Sequence, residues 1–282
     1  MKFSRHFDRH LERDIEYNPF LETVLIVVLA MLLAAHLGVL GWQMTLGKLP
    51  FQAMTYVFSL LVLVHAVYLT GWRRALAFFA LALVVSFVME YVGAKTGLIF
   101  GHYHYTDVLD PKIASTVPVV IPLAYFMVLY PSRMMADLIT WGKAAGVTRG
   151  LLWSLFTAVL AALTMTAWDL SMDPVMVHDV RAWVWERGGP YFGIPLQNFF
   201  GWFLTTFIIS FLGERLERYL PLLPLGRLHR TVIYLPLVGY GALCLGGPFV
   251  GIPVDTRVIS PFTMAVPLLA ASLRLFDSPD ES

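Results

Sequence analysis

Long apolar runs separated by short polar stretches occupy almost the whole chain. An α-helix needs about 20 apolar residues to cross the hydrocarbon core of a bilayer. Eight segments qualify, at roughly 20–42, 51–70, 74–92, 117–139, 149–169, 197–214, 231–250 and 258–276. The last two are rich in proline and glycine ("GGPFVGIP"), so seven spans stay open as an alternative. The pattern predicts an all-α fold, a polytopic transmembrane helical bundle of about eight spans.

Composition supports a membrane protein and narrows the chemistry. Of the 282 residues, 58% are hydrophobic and 14% are charged, whereas soluble domains carry about 25% charged residues. The net charge of +1 gives no indication of the basic face that nucleic-acid binders display. Cys244 is the single cysteine, which excludes an intrachain disulfide and a cysteine-based metal cluster.

One domain, residues 20–276, is predicted to lie in the cytoplasmic membrane. Residues 1–19 mix both signs of charge, and the apolar run that follows them is too long for a signal peptide. We therefore expect 1–19 to form an amphipathic cytoplasmic segment and 277–282 to form a short polar tail. Neither the pattern nor the composition predicts an oligomeric state.

Basic residues predict the orientation, because cytoplasmic loops carry the excess of Lys and Arg. With a cytoplasmic N-terminus, the non-cytoplasmic side receives only six of the 20 basic residues: Lys48, Lys95, Lys112, Arg181, Arg187 and Arg257. Eight spans would then place both termini in the cytoplasm. The two long polar stretches, 93–116 and 170–196, would share the non-cytoplasmic face, which we expect to hold the active site.

Three acidic residues adjoin predicted spans near that face, and ionisable groups at membrane depth are functional candidates. Glu90 lies in "SFVMEYVGAKTG", while Asp169 and Asp173 lie in "MTAWDLSMDP". A spacing of four places the two aspartates on one helix face, and we expect Pro174 to end that helix. Two such close carboxyl groups do not both ionise easily, so one is expected to hold a proton. The alternatives are helix caps or counter-ions of Arg181 or Lys95.

Histidines and aromatic residues cluster at the same face in "FGHYHYTD". His102 and His104 alternate, so in an extended segment they point the same way, but no metal-binding histidine motif accompanies them. We expect His102 and His104 to act as hydrogen-bonding residues of the substrate-binding site, and we expect no metal. Tyr103 and Tyr105 are candidates to line a pocket.

Further polar and aromatic candidates follow later in the chain. "YFGIPLQNFFGW" places Asn198 and Trp202 where a span begins. Trp183 and Trp185 are interpreted as part of the aromatic belt at headgroup depth. His36 and His65, within spans, are interpreted as interhelical contacts.

Four motifs in this order resemble the membrane-integral carotenoid biosynthesis proteins, a family that includes the CruF-type carotenoid 1,2-hydratases and the bacterioruberin-pathway hydratases. They are "EYVGAKTGLIFGHYHYTDVL", "VPVVIPLAYFMVLYPS", "WDLSMDPV" and "GGPYFGIPLQNFFGW". The resemblance implies a hydro-lyase that adds water to the terminal C1–C2 double bond of an acyclic ψ end group, without a cofactor. The substrate would be a carotenoid of the γ-carotene, lycopene or bisanhydrobacterioruberin type. The motif positions correspond to Glu90, Tyr103, Tyr105, Asp169, Asp173, Asn198 and Trp202.

Our mechanistic hypothesis assigns these residues to an acid-catalysed hydration. Asp169 or Asp173 would protonate the alkene, since general acid catalysis requires a positioned proton donor. Glu90 would orient the attacking water or take its proton, with help from His102 or Asn198. Tyr103, Tyr105 and Trp202 would line the end-group pocket, since electron-rich rings stabilise a developing cation.

Two other functions stay open. Asp169 and Asp173 resemble the aspartate pair with which intramembrane prenyltransferases bind Mg²⁺ and a diphosphate, although a second aspartate-rich motif is absent from the sequence. A lipid transporter is the non-enzymatic alternative. It would predict polar residues through the depth of the bundle and inverted repeats. Membrane lipid surrounds the protein under each hypothesis.

Overall fold

Ten helices hold most of the residues described by the computed structural model, which are 18–46, 51–146, 149–226 and 230–277. They are α1 (Pro19–Leu46), α2 (Phe51–Thr70), α3 (Trp72–Thr96), α4 (Val120–Trp141), α5 (Leu151–Val175), α6 (Leu196–Glu217), α7 (Arg230–Ile233), α8 (Leu235–Val250), α9 (Ile259–Thr263) and α10 (Ala265–Asp277). The predicted segment 1–19, except its last two residues, and the predicted tail after 277 lie outside the described residues.

Each of the eight predicted spans is helical in the structure. Seven helical segments of the described chain are long and apolar enough to cross a membrane, with α7 and α8 forming one of them and residues 254–276 another. The eighth, α4, has 22 residues and carries Arg133 and Asp137. The structure therefore confirms a polytopic helical membrane protein, and the orientation of its termini stays a prediction.

Helix α4 lies at the centre of the bundle. It contacts α2, α3, α5, α6, α8 and α10, and nearly all its side chains from Val120 to Leu138 are buried. A helix that is apolar around its circumference is stable when other helices cover it on all sides. Its two ends reach the two faces of the bundle, so residues near each end can join the polar groups there.

Helix α5 continues through Pro174, so the prediction that this proline ends the helix is wrong. A proline inside a helix removes one backbone hydrogen bond, and the carbonyl four residues earlier loses its donor. Here the Tyr191 hydroxyl donates to that carbonyl, of Leu170, at 2.7 Å. The helix then extends as a π-helical turn over Met176–Val180.

Short strands from both long polar stretches form a cap over one end of the bundle, an addition to the predicted all-α fold. β1 (Tyr103–Tyr105) pairs with β4 (Trp183–Trp185) in antiparallel register. β2 (Lys112–Ile113) pairs with β3 (Val117–Pro118). The two polar stretches therefore lie at the same end, as predicted. At this end, the Gln197 side chain of α6 donates hydrogen bonds to the carbonyls of Gly97 and Leu98, which follow α3, at 3.1 and 2.7 Å.

The Phe100 ring holds β1 close to the bundle because two glycines leave room for it. A Cβ atom at Gly93 of α3 or at Gly201 of α6 would overlap this ring. A Cβ at Gly201 would also lie 2.8 Å from the Ile99 carbonyl oxygen. The buried Phe100 therefore needs both glycines to occupy the space between α3 and α6.

Replacing Gly201 with Ala is expected to destabilise the protein, since overpacking a tight contact costs about 1–3 kcal/mol. The measurement is the thermal unfolding midpoint of the purified protein in detergent. Gly38→Ala is the matched control, because no atom lies within 4 Å of a Cβ placed there. Equal midpoints for the two variants would contradict the role assigned to Gly201.

Candidate active site

A buried carboxyl group on α3 accepts three phenol hydrogen bonds. Glu90 is 2% exposed. Its Oε2 accepts from Tyr103 at 2.5 Å and from Tyr105 at 2.7 Å. Its Oε1 accepts from Tyr125 of α4 at 3.0 Å. Three O–H donors satisfy a buried carboxylate without a basic residue.

Side-chain alternation along residues 102–105 places the two tyrosines toward the interior and the two histidines at the surface. Tyr103 is buried and Tyr105 is half-buried, whereas His102 and His104 are exposed on the opposite side of the strand. Successive side chains of a strand point to opposite faces. His104 Nδ1 lies 3.8 Å from a carboxylate oxygen of Glu186. The structure therefore brings both tyrosines into the site and neither histidine.

The phenols of Tyr103 and Tyr105 are held in their protonated form. Burial, and then the neighbouring Glu90 carboxylate, raise the pKa of both groups well above the ordinary tyrosine value. Each phenol therefore stays a hydrogen-bond donor over the whole physiological range of pH.

The two aspartates of α5 share one amide donor. Asp169 and Asp173 are buried, and so is Asn198 of α6. The Asn198 amide nitrogen lies 3.3 Å from Asp169 Oδ2 and 2.6 Å from Asp173 Oδ2. Trp183 Nε1 donates to the other oxygen, Asp173 Oδ1, at 2.8 Å. The predicted placement on one helix face is confirmed.

The donors distinguish the two aspartates. Both oxygens of Asp173 accept N–H hydrogen bonds, which is the arrangement that an ionised carboxylate favours. Asp169 Oδ1 is buried, and no group of the described residues forms a hydrogen bond with it. Asp169 thus has one oxygen available to carry a proton.

Helix α6 connects the aspartates to the Glu90 cluster. Trp202 lies one turn after Asn198, and its ring stacks on Tyr125 with centroids 4.1 Å apart and an interplanar angle of 7°. Trp168 contacts Trp202 edge-on at 6.0 Å. Trp168 directly precedes Asp169 on α5. The acids and the aromatic rings therefore form one site.

Arg181 and Lys95, considered above as counter-ions, form no ion pair with the three acids in the described part of the chain. The Lys95 ammonium instead lies 5.8 Å from the centre of the Tyr91 ring. Within the same residues, no three His, Cys, Asp or Glu side chains are grouped to hold a metal ion. The site is built from neutral donors around acids, which suits proton transfer.

Three residues of the site, Trp183, Trp185 and Tyr125, were not predicted in this role. Trp183 is 5% and Trp185 is 9% exposed, so their assignment to the aromatic belt at headgroup depth is wrong. Trp185 packs on Tyr103 at 4.9 Å. Aromatic residues alternate in "WVW" as they do in "YHY", and this alternation could have indicated that both tryptophans face the interior. Tyr125 lies in the motif "VPVVIPLAYFMVLYPS", in which no charge or spacing distinguishes this tyrosine from its apolar neighbours.

His36 and His65 are interhelical contacts, as predicted. His36 Nε2 lies 3.2 Å from the Gly239 carbonyl oxygen, and its ring stacks on Phe58. His65 bridges the Tyr130 hydroxyl and the Val232 carbonyl at 2.8 and 3.0 Å. These contacts tie α8 and α7 to the rest of the bundle.

Comparison with known proteins identifies relatives of this chain. The sequence model of a family described as "Carotenoid biosynthesis protein" matches residues 51–256. A bisanhydrobacterioruberin hydratase of Haloarcula japonica is 31% identical over 151 residues, which are 54% of this chain and 48% of the relative. The chain thus matches about half the length of that relative. No solved structure matches.

The Trp183 hydrogen bond to Asp173 gives a testable difference between two neighbouring tryptophans. Trp183→Phe leaves a buried carboxylate oxygen without its donor, which costs about 1–3 kcal/mol. Trp185→Phe is the matched control, because Trp185 Nε1 is buried and has no hydrogen-bond partner among the described residues. We expect a lower thermal unfolding midpoint for Trp183→Phe than for Trp185→Phe. The reverse order would refute the assigned hydrogen bond.

Proposed function

The chain belongs to the carotenoid biosynthesis protein family, and we propose that it acts there as a carotenoid 1,2-hydratase. The reaction adds water across the terminal C1–C2 double bond of an acyclic ψ end group and gives a tertiary alcohol. The hydratase relative supports the reaction class. The substrate is a long polyene of the lycopene, γ-carotene or bisanhydrobacterioruberin type.

One observation supports this function most strongly: a buried aspartate with a free oxygen beside an aromatic wall. Asp169 Oδ1 has no hydrogen-bond partner among the described residues, so a proton there is free to move to a substrate. Hydration of a trisubstituted alkene begins with such a transfer, and a positioned general acid accelerates it by about 10²–10⁴-fold.

The proton from Asp169 goes to C2, and the π electrons form the new C–H bond. The positive charge then lies on C1, as a tertiary cation. The oxygen of a water molecule bonds to C1 and loses one proton to the Glu90 carboxylate. Transfer of that proton back to Asp169 completes the cycle, so the net change is the addition of one water.

The aromatic rings and the acids stabilise the cation between these steps. Trp202 and Tyr125 present a stacked pair of rings, and ring faces attract a cation by about 0.5–2 kcal/mol. In this mechanism Asp173, held by Asn198 and Trp183, is the ionised member of the pair and adds a fixed negative charge. Preorganised charge of this kind acts where the transition state develops its own.

The position of the site at one end of the bundle suits a polyene substrate. A carotenoid is about as long as the ~30 Å hydrocarbon core is thick, so its end group reaches the level at which the acids lie. Water is available at the same level. By the distribution of basic residues, we infer that this end is non-cytoplasmic.

The same geometry favours hydration over the prenyltransferase alternative. A magnesium ion bound to a diphosphate requires carboxylate oxygens as ligands. Both oxygens of Asp173 and one of Asp169 instead accept hydrogen bonds from Trp183 and Asn198. A transporter would also predict inverted repeats, and the sequence contains no convincing repeat of this kind.

Asp169→Asn removes the proposed proton donor and is expected to lower hydration at least about 10²-fold while the polyene still binds. The assay is expression in a lycopene-accumulating bacterial host, with mass spectrometry of the pigments for a gain of one water. Strains that accumulate γ-carotene or bisanhydrobacterioruberin test the other substrates.

Asp179→Asn is the control, since this exposed acid lies in the π-helical turn that extends the same helix. It should retain wild-type product levels. Normal hydration by Asp169→Asn would rule out Asp169 as the acid.

Isotopes test the reaction itself. In water enriched with heavy oxygen, the product alcohol should carry the label, and in deuterated water one deuterium should appear at C2. Molecular oxygen labelled in the same way should leave the product unlabelled. Label that comes from molecular oxygen would show an oxidation and would contradict the proposed hydration.

A further inference from the structure

A cavity of about 420 Å³ lies at the end of the bundle opposite to the active site. Four arginines line it: Arg74, Arg133, Arg149 and Arg218. Arg74 belongs to α3 and Arg133 to α4, whereas Arg149 precedes α5 and Arg218 directly follows α6. Its volume is within the range of about 300–1,000 Å³ that is usual for ligand pockets.

Three of these arginines are each matched by one acid. The pairs are Arg133 with Glu217 at 2.8 and 2.6 Å, Arg149 with Asp137 at 2.6 Å, and Arg218 with Glu214 at 2.9 Å. Arg74 is the fourth, and its Nε and Nη2 donate to the backbone carbonyl of Leu220 at 2.9 and 2.7 Å. The four arginines and three acids therefore leave one positive charge in excess.

The cavity has an unpaired hydrogen-bond donor as well as an excess positive charge. The Arg149 side chain is 2% exposed, and its Nε has no hydrogen-bond acceptor among the described residues. Glu214 Oε2 is 3.7 Å away, beyond hydrogen-bonding distance. Of the buried side-chain atoms left without a partner, this cavity contributes a donor and no carboxylate oxygen. A ligand that completes the site must therefore supply an acceptor and a negative charge.

We propose that this cavity binds a phosphate group, carried by an anionic phospholipid or present as free phosphate. A phosphate offers several acceptor oxygens, and the planar guanidinium fork binds such oxygens in pairs. The site lies at one end of a membrane-spanning bundle, where lipid headgroups are found. A phosphate there would join Arg74 of α3 to Arg149, which precedes α5. This inference does not depend on the reaction at the other end.

Binding is measured on the full chain purified in dodecyl maltoside, a detergent without phosphate. One arm titrates inorganic phosphate against chloride at constant ionic strength and follows the thermal unfolding midpoint. The other arm adds phosphatidylglycerol and counts bound lipids by native mass spectrometry. We expect saturable stabilisation by at least one ligand, because a ligand that binds the folded state raises its stability.

Arg74→Gln removes the excess charge without breaking an ion pair and should weaken phosphate or lipid binding by about tenfold. Arg73→Gln is the matched control, since its guanidinium lies over the Trp72 ring and does not line the cavity. Arg74→Lys keeps the charge and loses the fork, so its affinity should fall between those of the wild type and Arg74→Gln.

The outcomes separate the two sources of the ligand. Saturation by inorganic phosphate identifies a free anion, and specific lipid retention without an effect of phosphate identifies a headgroup. Absence of both effects in the wild-type protein would overturn the proposal without any variant. Equal losses in Arg73→Gln and Arg74→Gln would overturn it as well, because a general charge effect would then explain the binding.

Discussion

Three acids buried at one end of a membrane bundle, without a described basic partner, are the constraint on which the rest of the structure depends. A buried ionised group is costly unless hydrogen bonds replace its water. Glu90 obtains three phenol donors and Asp173 obtains two N–H donors. Those donors come from α4, α6 and both long polar segments. Three features place these donors beside the acids. They are the pairing of β1 with β4, the central position of α4 and the close approach of β1 to the bundle.

The buried acids near the start of α4 have neutral hydrogen-bond donors, whereas those near its end have arginine partners. Near its start, Tyr125 contributes a neutral donor to an acid-rich site. Near its end, Arg133 and Asp137 enter a network in which guanidinium groups neutralise carboxylates. Acids held by neutral donors have no fixed counter-charge, whereas acids paired with arginine have one. One helix therefore connects a region suited to proton chemistry with a region suited to fixed charge.

The long apolar runs of the sequence predicted the eight helical spans, because bilayer thickness sets their length and composition. The helix spacing of Asp169 and Asp173 and the strand alternation of Tyr103 and Tyr105 predicted which side chains share a face. Tyr125 was beyond prediction, because its role depends on which helix lies at the centre. The outcome at Pro174 depends on the Tyr191 hydroxyl, which is distant in sequence. The alternation that places His102 and His104 together also places them opposite to the tyrosines, and only the pairing with β4 decides which face is inside.

The contact between Tyr191 and Leu170 couples a surface segment to the interior of α5. The same segment, residues 181–195, carries Trp183, so it holds the helix at the turn before Pro174 and also holds the Asp173 carboxylate. A displacement of the whole segment would break both hydrogen bonds. It would leave a helix carbonyl and a buried acid without these donors. The order of this segment therefore contributes both to the continuity of α5 and to the geometry of the acids.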